Sequence, residues 1–353
     1  MKSGFWLFPF TLLWLQSHSQ NYCLDNRFDT LAFVDSQIVF EEDILYGVAI
    51  DWEGNNKNLF LDLYYPNDSV ETLAKRPLVF FIHGGGFRGG SKSTVESRYF
   101  GQEFAKRGYV SCVVEYRRGW DEPDTCAADT SDFLRAQYRA MQDIHAAVRF
   151  MKRIADTFDI DTNYFFLGGV SSGANAALTI AFSEPHNFQP WLIEELGSVD
   201  SSGNPFYRHS MAVKGVYTEA VGIERMEMFA NRQIPTQLMH STCDSVVPYF
   251  QGRLLGCEEP NKYPHLFGGW EIARHLREIG NCYQLHTIEG GRHNAFVRDD
   301  MLNEVLPFLK KILCAECESE EFYTVDNVNG CAIRGKGRLH LDAFYPNPVR
   351  DEF

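Results

Sequence analysis

Residues 163–178 have the sequence NYFFLGGVSSGANAAL. An apolar run ends in Gly169-Val170-Ser171-Ser172-Gly173, and an alanine-rich helical pattern follows it. The G-x-S-x-G pattern between a strand and a helix is typical of a sharp turn that holds its central serine in a strained conformation. At a helix N-terminus, free amides and the helix dipole favour negative charge. The segment therefore predicts a strand, a turn that exposes a nucleophilic Ser171, and a helix.

Short apolar runs alternate with helical patterns on both sides of this turn. Runs without polar alternation are typical of strands buried on both faces of a parallel sheet, and they cover residues 78–82, 110–114, 164–167, 213–216, 236–239 and 283–288. Apolar residues at helical spacing predict helices over residues 131–158, 269–279 and 296–313. Ahead of them, two alternating runs between residues 46 and 65 predict an antiparallel hairpin. The expected fold class is α/β, with a doubly wound, mostly parallel sheet after this hairpin.

A glycine-rich segment, His83-Gly84-Gly85-Gly86, follows directly after the apolar run at residues 78–82. Consecutive glycines leave their amide hydrogens unobstructed, which an oxyanion-binding loop requires. The alternatives are a flexible turn or a phosphate-binding loop. A phosphate loop would end in Gly-Lys-Ser or Gly-Lys-Thr, and the order Gly90-Ser91-Lys92-Ser93 does not match it.

A serine nucleophile needs a base, and the base needs a carboxylate to fix its tautomer. Asp244 lies on a turn just after the predicted strand 236–239, and His293 lies on the glycine-rich loop that begins at Gly290. The chain order Ser171, Asp244, His293 is the order used by α/β-hydrolase triads. Asp121 or Asp124 would replace Asp244 only in a triad with another chain order.

Three other histidines are candidates for the base, namely His83, His240 and His286. His83 is expected to brace the glycine-rich loop instead, while His240 and His286 are expected to be structural because they belong to strands. His145 falls on the apolar stripe of the predicted helix 131–158, so a core-facing structural role is expected for it.

Together these motifs resemble the hormone-sensitive-lipase-like and carboxylesterase branches of the α/β-hydrolase superfamily, over about residues 46–313. The resemblance implies acyl transfer through Ser171, with the amides of Gly85, Gly86 and Ser172 forming the oxyanion hole. It implies a small-molecule or polysaccharide-linked ester as the substrate, and no cofactor. In this family the residue after the nucleophile is often acidic or alanine, whereas this chain has Ser172 there. The substrate subclass therefore stays open.

Two other functions share these motifs. A serine peptidase of the prolyl-oligopeptidase type has the same fold and triad, but it usually carries a large extra domain and a different glycine pattern. A catalytically inactive binding module is the second alternative, although all three triad positions are filled in this chain.

The net charge of the chain limits its binding partners, and the N-terminal sequence indicates its compartment. The 353 residues carry a net charge of −14, which argues against nucleic acid or anionic membrane surfaces as partners. An apolar run after Lys2 predicts a signal peptide at residues 1–20, and no later run suggests a membrane anchor. We therefore expect a secreted or periplasmic protein, with export to the cell surface as a further option.

Nine cysteines in an exported chain predict disulfides, and the odd number leaves at least one thiol free or paired with another molecule. Cys282 is expected to pair with Cys314 or Cys317, because these residues lie at the start of the last predicted strand and the end of the last helix. Cys314 and Cys317 also have metal-knuckle spacing, but no second pair accompanies them, so no metal site is expected.

The expected domain organisation places the catalytic domain at residues 21–314 and a polar linker at residues 315–353. Residues 184–210 resemble an insertion, which is either a lid or a surface loop. The end of the chain, from Phe344 to Asp351, resembles the opening of a type nine secretion sorting domain, truncated here. The alternative interpretation of this end is a polar tail made rigid by proline.

Overall fold

The computed structural model describes residues 22–326, apart from 25, 121–125, 127–128, 205, 208, 258–262 and 297. The predicted signal peptide and sorting tail lie outside the described residues, and so do Asp121 and Asp124.

The chain folds into strands and helices that alternate after an opening hairpin. The strands within the described ranges are β1 (Ile38–Ile50), β2 (Asn56–Pro66), β3 (Arg76–Ile82), β4 (Val110–Val114), β5 (Ile160–Val170), β6 (Gly215–Glu219), β7 (Gly222–Ile223), β8 (Thr236–Ser241), β9 (Gln251–Arg253), β10 (His265–Gly268), β11 (Tyr283–Glu289) and β12 (Glu320–Val325). The α-helices are α1 (Val95–Ala105), α2 (Thr130–Arg153), α3 (Ser172–Phe182), α4 (Pro190–Leu196), α5 (Gly269–Glu278) and α6 (Arg298–Leu313).

Nine of these strands form one sheet in the order β1-β2-β4-β3-β5-β6-β8-β11-β12. The pairs β1–β2 and β2–β4 are antiparallel, and every later pair is parallel. The predicted fold class and hairpin are therefore confirmed. Strands β7, β10 and β9 form a separate three-stranded sheet that the sequence analysis did not predict.

Helices cover both faces of the large sheet, and β3 shows why its strands are apolar throughout. Leu78, Phe80 and Ile82 pack in the cluster that contains α2, α3 and α5. Val79 and Phe81 pack in the cluster that contains α1 and α6. Because successive side chains of a strand point to opposite faces, a strand between two helical layers needs an apolar residue at every position.

The sheet does not end at the expected domain boundary near Cys314. Strand β12 pairs in parallel with β11 after the α6 crossover, so the polar linker predicted from residue 315 is wrong for residues 320–325. An edge strand is partly exposed and therefore tolerates polar residues. An acidic segment can form such a strand without the apolar run that would predict it. The disulfide between Cys282 and Cys317 ties this edge to β11 and confirms one of the two predicted pairings.

Two more disulfides form pairs that the sequence left open. Cys314 is bonded to Cys23 and Cys126 to Cys257, while Cys112 is a free, buried thiol. No helix in the described part of the chain is long and apolar enough to cross a bilayer.

A buried ion pair joins the segment after β4 to α2. The backbone N–H of Arg117 donates to Asp143 Oδ2 at 2.7 Å, and its Nε donates to the same carboxylate at 2.9 and 3.0 Å. The Arg117 guanidinium also donates to the carbonyl of Ile50 at 2.6 Å, and Ser202 Oγ donates to Asp143. One charged pair thus connects the end of β1, the segment after β4, α2 and the insertion.

We expect Asp143→Ala to lower the free energy of unfolding by about 3–5 kcal/mol, because it leaves the Arg117 charge buried without its partner. Asp132→Ala is the matched control on the same helix, since the Asp132 side chain is 40% exposed and pairs with Arg135. The control should lose no more than about 1 kcal/mol. Urea denaturation checks both values, and equal losses would contradict the role assigned to the buried pair.

Candidate active site

Ser171 lies between β5 and α3, in the strained conformation that the sequence predicts. Its φ is 52° and its ψ is −120°. The Ser171 N–H donates to the carbonyl of Glu219 on β6 at 2.8 Å, which ties the turn to the neighbouring strand. Helix α3 begins at Ser172, so the serine stands at a helix N-terminus.

The two glycines of the turn are required by the close approach of β3. A Cβ on Gly169 would lie 2.2 Å from the carbonyl oxygen of Ile82, and a Cβ on Gly173 would also lie 2.2 Å from that oxygen. No side chain can be accommodated at these distances. The flanking positions of the G-x-S-x-G pattern therefore let α3 and β5 pack directly on the end of β3.

His293 connects Ser171 to Asp244. Its Nε2 lies 3.0 Å from Ser171 Oγ, and its Nδ1 lies 2.7 Å from Asp244 Oδ2. A carboxylate only accepts hydrogen bonds, so Nδ1 carries the proton and Nε2 is free to accept the Ser171 hydroxyl proton. The structure thus brings together the three residues predicted as nucleophile, base and acid, and their arrangement can deprotonate a serine hydroxyl.

Asp244 has a second histidine partner, His240, which the sequence analysis treated as a structural strand residue. The Gly269 N–H donates to His240 Nδ1 at 3.0 Å, so Nε2 carries the His240 proton. That Nε2 lies 3.3 Å from Asp244 Oδ2 and 3.2 Å from the Val247 carbonyl. The spacing His-x-x-x-Asp across a strand end was the only sequence signal of this contact.

The surroundings of Asp244 keep it ionised. Its other oxygen accepts the N–H groups of Val246 at 2.8 Å and Val247 at 2.9 Å. Burial alone would raise the pKa of Asp244, but the hydrogen bonds from His240 and His293 outweigh it and hold this pKa well below its usual range. The carboxylate therefore stays available to orient His293.

The glycine-rich loop after β3 faces Ser171. Gly85 has a φ of 117° and Gly86 a φ of 62°, conformations that favour glycine. The N–H groups of Gly85, Gly86 and Ser172 have no acceptor among the described residues. Three amides predicted to form an oxyanion hole are thus free at the cavity that Ser171 lines.

Three aromatic side chains brace this loop. Tyr116 Oη donates to the His83 carbonyl at 2.9 Å, and the two rings stack at 4.4 Å. Trp120 Nε1 donates to the Gly86 carbonyl at 3.0 Å. Burial lowers the pKa of His83, which keeps the ring neutral and agrees with its predicted bracing role. The bracing by Trp120 was not predicted, because its indole lies far from the loop in sequence.

A cavity of about 500 Å³ opens at Ser171. Its walls are mainly apolar, and they include Phe87, Trp120, Phe133, Leu254, Leu255, Tyr263 and Leu266. The disulfide between Cys126 and Cys257 joins the segment before α2 to the segment that carries Leu254 and Leu255. None of the described residues among 184–210 lines this cavity, which favours the surface-loop interpretation over a lid.

The remaining candidate residues lie elsewhere. His145 is 3.1 Å from Asp200, and burial lowers the pKa of His145 to about 4. His286 stacks on Phe322, and burial lowers its pKa to about 4 as well. Among the described residues, the single cluster with metal-ligand geometry contains Cys23, Cys314 and Glu316, and its two cysteines are bonded to each other.

The sequence of this chain is similar to known esterases over part of its length. A family model described as BD-FAE matches residues 61–214. Gut esterase 1 of Caenorhabditis elegans is 31% identical over 109 residues, which are 31% of this chain and 19% of that protein. Bile salt-activated lipase of Bos taurus is 30% identical over 139 residues, 38% of this chain and 22% of that protein. The matches span about a fifth of the length of these relatives.

Solved structures match over most of the chain. A truncated form of a carbohydrate esterase from gut microbiota superimposes with a TM-score of 0.57 at 12% identity, covering 80% of this chain and 99% of that one. Esterase B from Lactobacillus rhamnosis gives a TM-score of 0.51 at 16% identity, covering 82% of this chain and 91% of that one. The chain therefore has the α/β-hydrolase fold.

The stability of the Asp244→Asn variant at different pH values tests whether Asp244 is ionised in the folded protein. Because the pKa of Asp244 is lower in the folded state than in the unfolded state, its contribution is fully present above the unfolded pKa of about 3.9 and is lost as the pH falls towards the folded pKa. Wild type and Asp244→Asn should therefore differ most in unfolding free energy at neutral pH, and the difference should shrink below about pH 4.

Urea denaturation between pH 3 and pH 7 measures this difference. Asp29→Asn at an exposed position is the control and should track the wild type across the range. A difference that grows towards pH 3 would contradict the assigned ionisation of Asp244.

Proposed function

We propose that this protein is a serine ester hydrolase that forms an acyl-enzyme on Ser171. The observation that carries the proposal is the connected set of His293, 3.0 Å from Ser171 Oγ and 2.7 Å from Asp244, beside three free amides. The partial matches to esterase sequences support the same chemistry. The substrate class we propose is a small-molecule or polysaccharide-linked carboxylic ester.

The first half of the reaction acylates the enzyme. His293 Nε2 takes the proton of Ser171 as Oγ attacks the ester carbonyl carbon, and the carbonyl oxygen becomes an oxyanion. The amides of Gly85, Gly86 and Ser172 stabilise this oxyanion, each donor contributing about 10²–10³ in rate. When the tetrahedral intermediate collapses, His293 returns the proton to the leaving alcohol, and the acyl group remains on Ser171.

Water completes the cycle. His293 takes a proton from water as the water oxygen attacks the acyl carbon, and the same amides stabilise the second oxyanion. Collapse of this intermediate breaks the bond to Ser171 Oγ, which recovers its proton from His293. The products are the carboxylic acid, the alcohol and the unchanged enzyme. Every step uses side chains and amides of this chain, so the proposal includes no cofactor.

The proposal includes an oxidising compartment outside the cytoplasm for this protein. Three disulfides join described cysteines, and disulfides persist in oxidising environments such as the periplasm and the exterior of the cell. Secretion through the predicted signal peptide would place the chain there. Detection of the mature chain outside the inner membrane of its host tests this point.

Ser171→Ala should lower kcat for p-nitrophenyl esters by about 10⁶-fold with an unchanged fold, because it removes the nucleophile. A fluorophosphonate probe should label the wild type and leave this variant unlabelled. Ser172→Ala is the control: its amide, not its hydroxyl, is assigned a role, so activity should stay within about tenfold. Wild-type protein that resists labelling would support the inactive binding module, and efficient cleavage of peptide amides would support the peptidase.

Asp244→Asn should lower kcat by about 10⁴-fold, since an amide favours the wrong tautomer of His293. His293→Ala should be more damaging, because it removes the base itself. Rates of ester hydrolysis by the two variants, measured at the same pH, show which substitution is more damaging. An Asp244→Asn enzyme with wild-type activity would exclude Asp244 as the acid.

Trp120→Phe removes the donor that holds the Gly86 carbonyl and should lower kcat about 10-fold to 100-fold through misplacement of the oxyanion amides. Trp270→Phe, outside the cavity, is the matched control and should keep full activity. Steady-state kinetics separates the outcomes: an effect confined to KM would assign Trp120 to substrate binding instead.

A further inference from the structure

The ester cavity lies between two walls that come from different parts of the chain. Trp120 and Phe133 belong to an aromatic wall. Leu254, Leu255 and Tyr263 belong to a second wall, which lies between β9 and β10 in the chain. The Tyr263 ring packs edge-on against both Trp120 and Phe133, with ring centroids 6.1 and 6.3 Å apart. The walls therefore meet at Tyr263, and the position of the two leucines relative to the aromatic wall sets the width of the cavity.

The turn at residues 254–256, which follows β9, holds one leucine in a strained conformation. Leu255 has a φ of 60° and a ψ of 14°, values that favour glycine. A bulky residue persists in this region only where its surroundings hold it. The Leu255 N–H donates to the Val246 carbonyl at 2.7 Å, and the Val246 N–H itself donates to Asp244. The turn is thus tied to the loop that carries the proposed acid.

Two further hydrogen bonds of this turn are long. The Leu254 nitrogen lies 3.4 Å from the Pro264 carbonyl oxygen, and the Cys257 nitrogen lies 3.4 Å from the Leu254 carbonyl oxygen. Both distances exceed the usual range of about 2.7–3.2 Å. Leu254 and Leu255 are only half-buried, and Gly256 is exposed. Such contacts alone would let the turn move outward.

The disulfide between Cys126 and Cys257 restrains this movement. Cys257 follows the turn directly, and Cys126 lies between Trp120 and Phe133 in the chain. The two cysteines are separated by 131 residues in the sequence, so the bond joins two walls that the backbone does not connect directly. A covalent link of this kind holds a loop in one conformation.

The other two disulfides do not border the cavity. Cys23–Cys314 joins the N-terminal segment to the residue after α6, and Cys282–Cys317 joins the residue before β11 to the segment before β12. None of these four cysteines, and no residue next to them in the chain, lines the cavity. Their removal therefore changes stability without changing a cavity wall.

We infer that the Cys126–Cys257 disulfide determines the size range of the substrates that the ester site accepts. The bond holds Leu254 and Leu255 towards the aromatic wall, so the cavity does not widen when a large ester group enters. Without the bond, the turn can move outward and accept the larger group. This inference rests on the proposed function, because it concerns the substrates of that same site.

Removal of the disulfide should change selectivity between esters of different size. We expect the Cys126→Ala/Cys257→Ala variant to raise kcat/KM for at least one large ester, p-nitrophenyl octanoate or 2-naphthyl acetate, about tenfold relative to p-nitrophenyl acetate. Both values come from one protein sample, so their ratio does not depend on the fraction of protein that is folded. Alanine is used because Cys257 is buried and a serine would bury a hydroxyl group there.

Leu255→Gly tests the wall itself while the disulfide stays intact. It relieves the strained φ and removes the side chain from the cavity, so the same ratio should rise about tenfold. Asp159→Gly is its matched control, because Asp159 is exposed, has a φ of 49° and lies outside the cavity. Cys23→Ala/Cys314→Ala controls for the loss of a disulfide, and both controls should keep the wild-type ratio. An unchanged ratio in either cavity variant, or an equal rise in a control, would overturn the inference.

If the wild type hydrolyses none of these esters, the proposed function fails and binding to the cavity decides instead. Titration calorimetry of Ser171→Ala protein with 2-naphthol and with phenol gives the ratio of the two affinities. This ratio should rise about tenfold in favour of 2-naphthol when Cys126→Ala and Cys257→Ala are added, which would keep the role of the disulfide without the esterase. An unchanged affinity ratio, or no binding of either ligand, would reject that role as well.

Discussion

The positive φ of Ser171 is the constraint on which the candidate site depends. A non-glycine residue in such a conformation costs about 1–3 kcal/mol, and it persists only where its surroundings determine it. Here β6 holds the Ser171 N–H through the Glu219 carbonyl, and β3 excludes any side chain at Gly169 and Gly173. Three adjacent parallel strands, β3, β5 and β6, thus keep Ser171 in this strained conformation. Local sequence alone could not maintain it.

The same sheet brings together residues that are far apart in the chain. Strands β3, β5, β8 and β11 all run in parallel, so the segments that follow them leave from one edge of the sheet. The glycine-rich loop follows β3, Ser171 follows β5, Asp244 follows β8 and His293 follows β11. Ligand sites of open α/β sheets form at this carboxyl edge. The chain order of the triad is therefore a consequence of strand order.

This relation explains which features were predictable from sequence. Apolar runs and the residues directly after them are local patterns, so the sheet, Ser171, Asp244, His293 and the glycine-rich loop could all be located. Contacts between residues that are far apart in the sequence leave no local pattern of this kind. His240 lies on a strand, and its contact with Asp244 requires the tautomer that the distant Gly269 amide fixes, which the sequence does not show. The indole of Trp120 was missed for the same kind of reason. Strand β12 was missed because it begins with Glu320 and Glu321, at the end of an acidic run.

Two buried acids near Ser171 show how the fold separates charged and neutral carboxyl groups. Asp244 accepts hydrogen bonds from two amides and two histidines, and its pKa is lowered. Glu219 is also buried, but neither of its carboxyl oxygens has a partner among the described residues. Burial, and then the charge of Asp244, raises the pKa of Glu219 well above its usual value. Because environments that push two pKa values apart separate charged from neutral carboxyl groups, the negative charge resides on Asp244, beside His293, and Glu219 stays neutral on the strand next to Ser171.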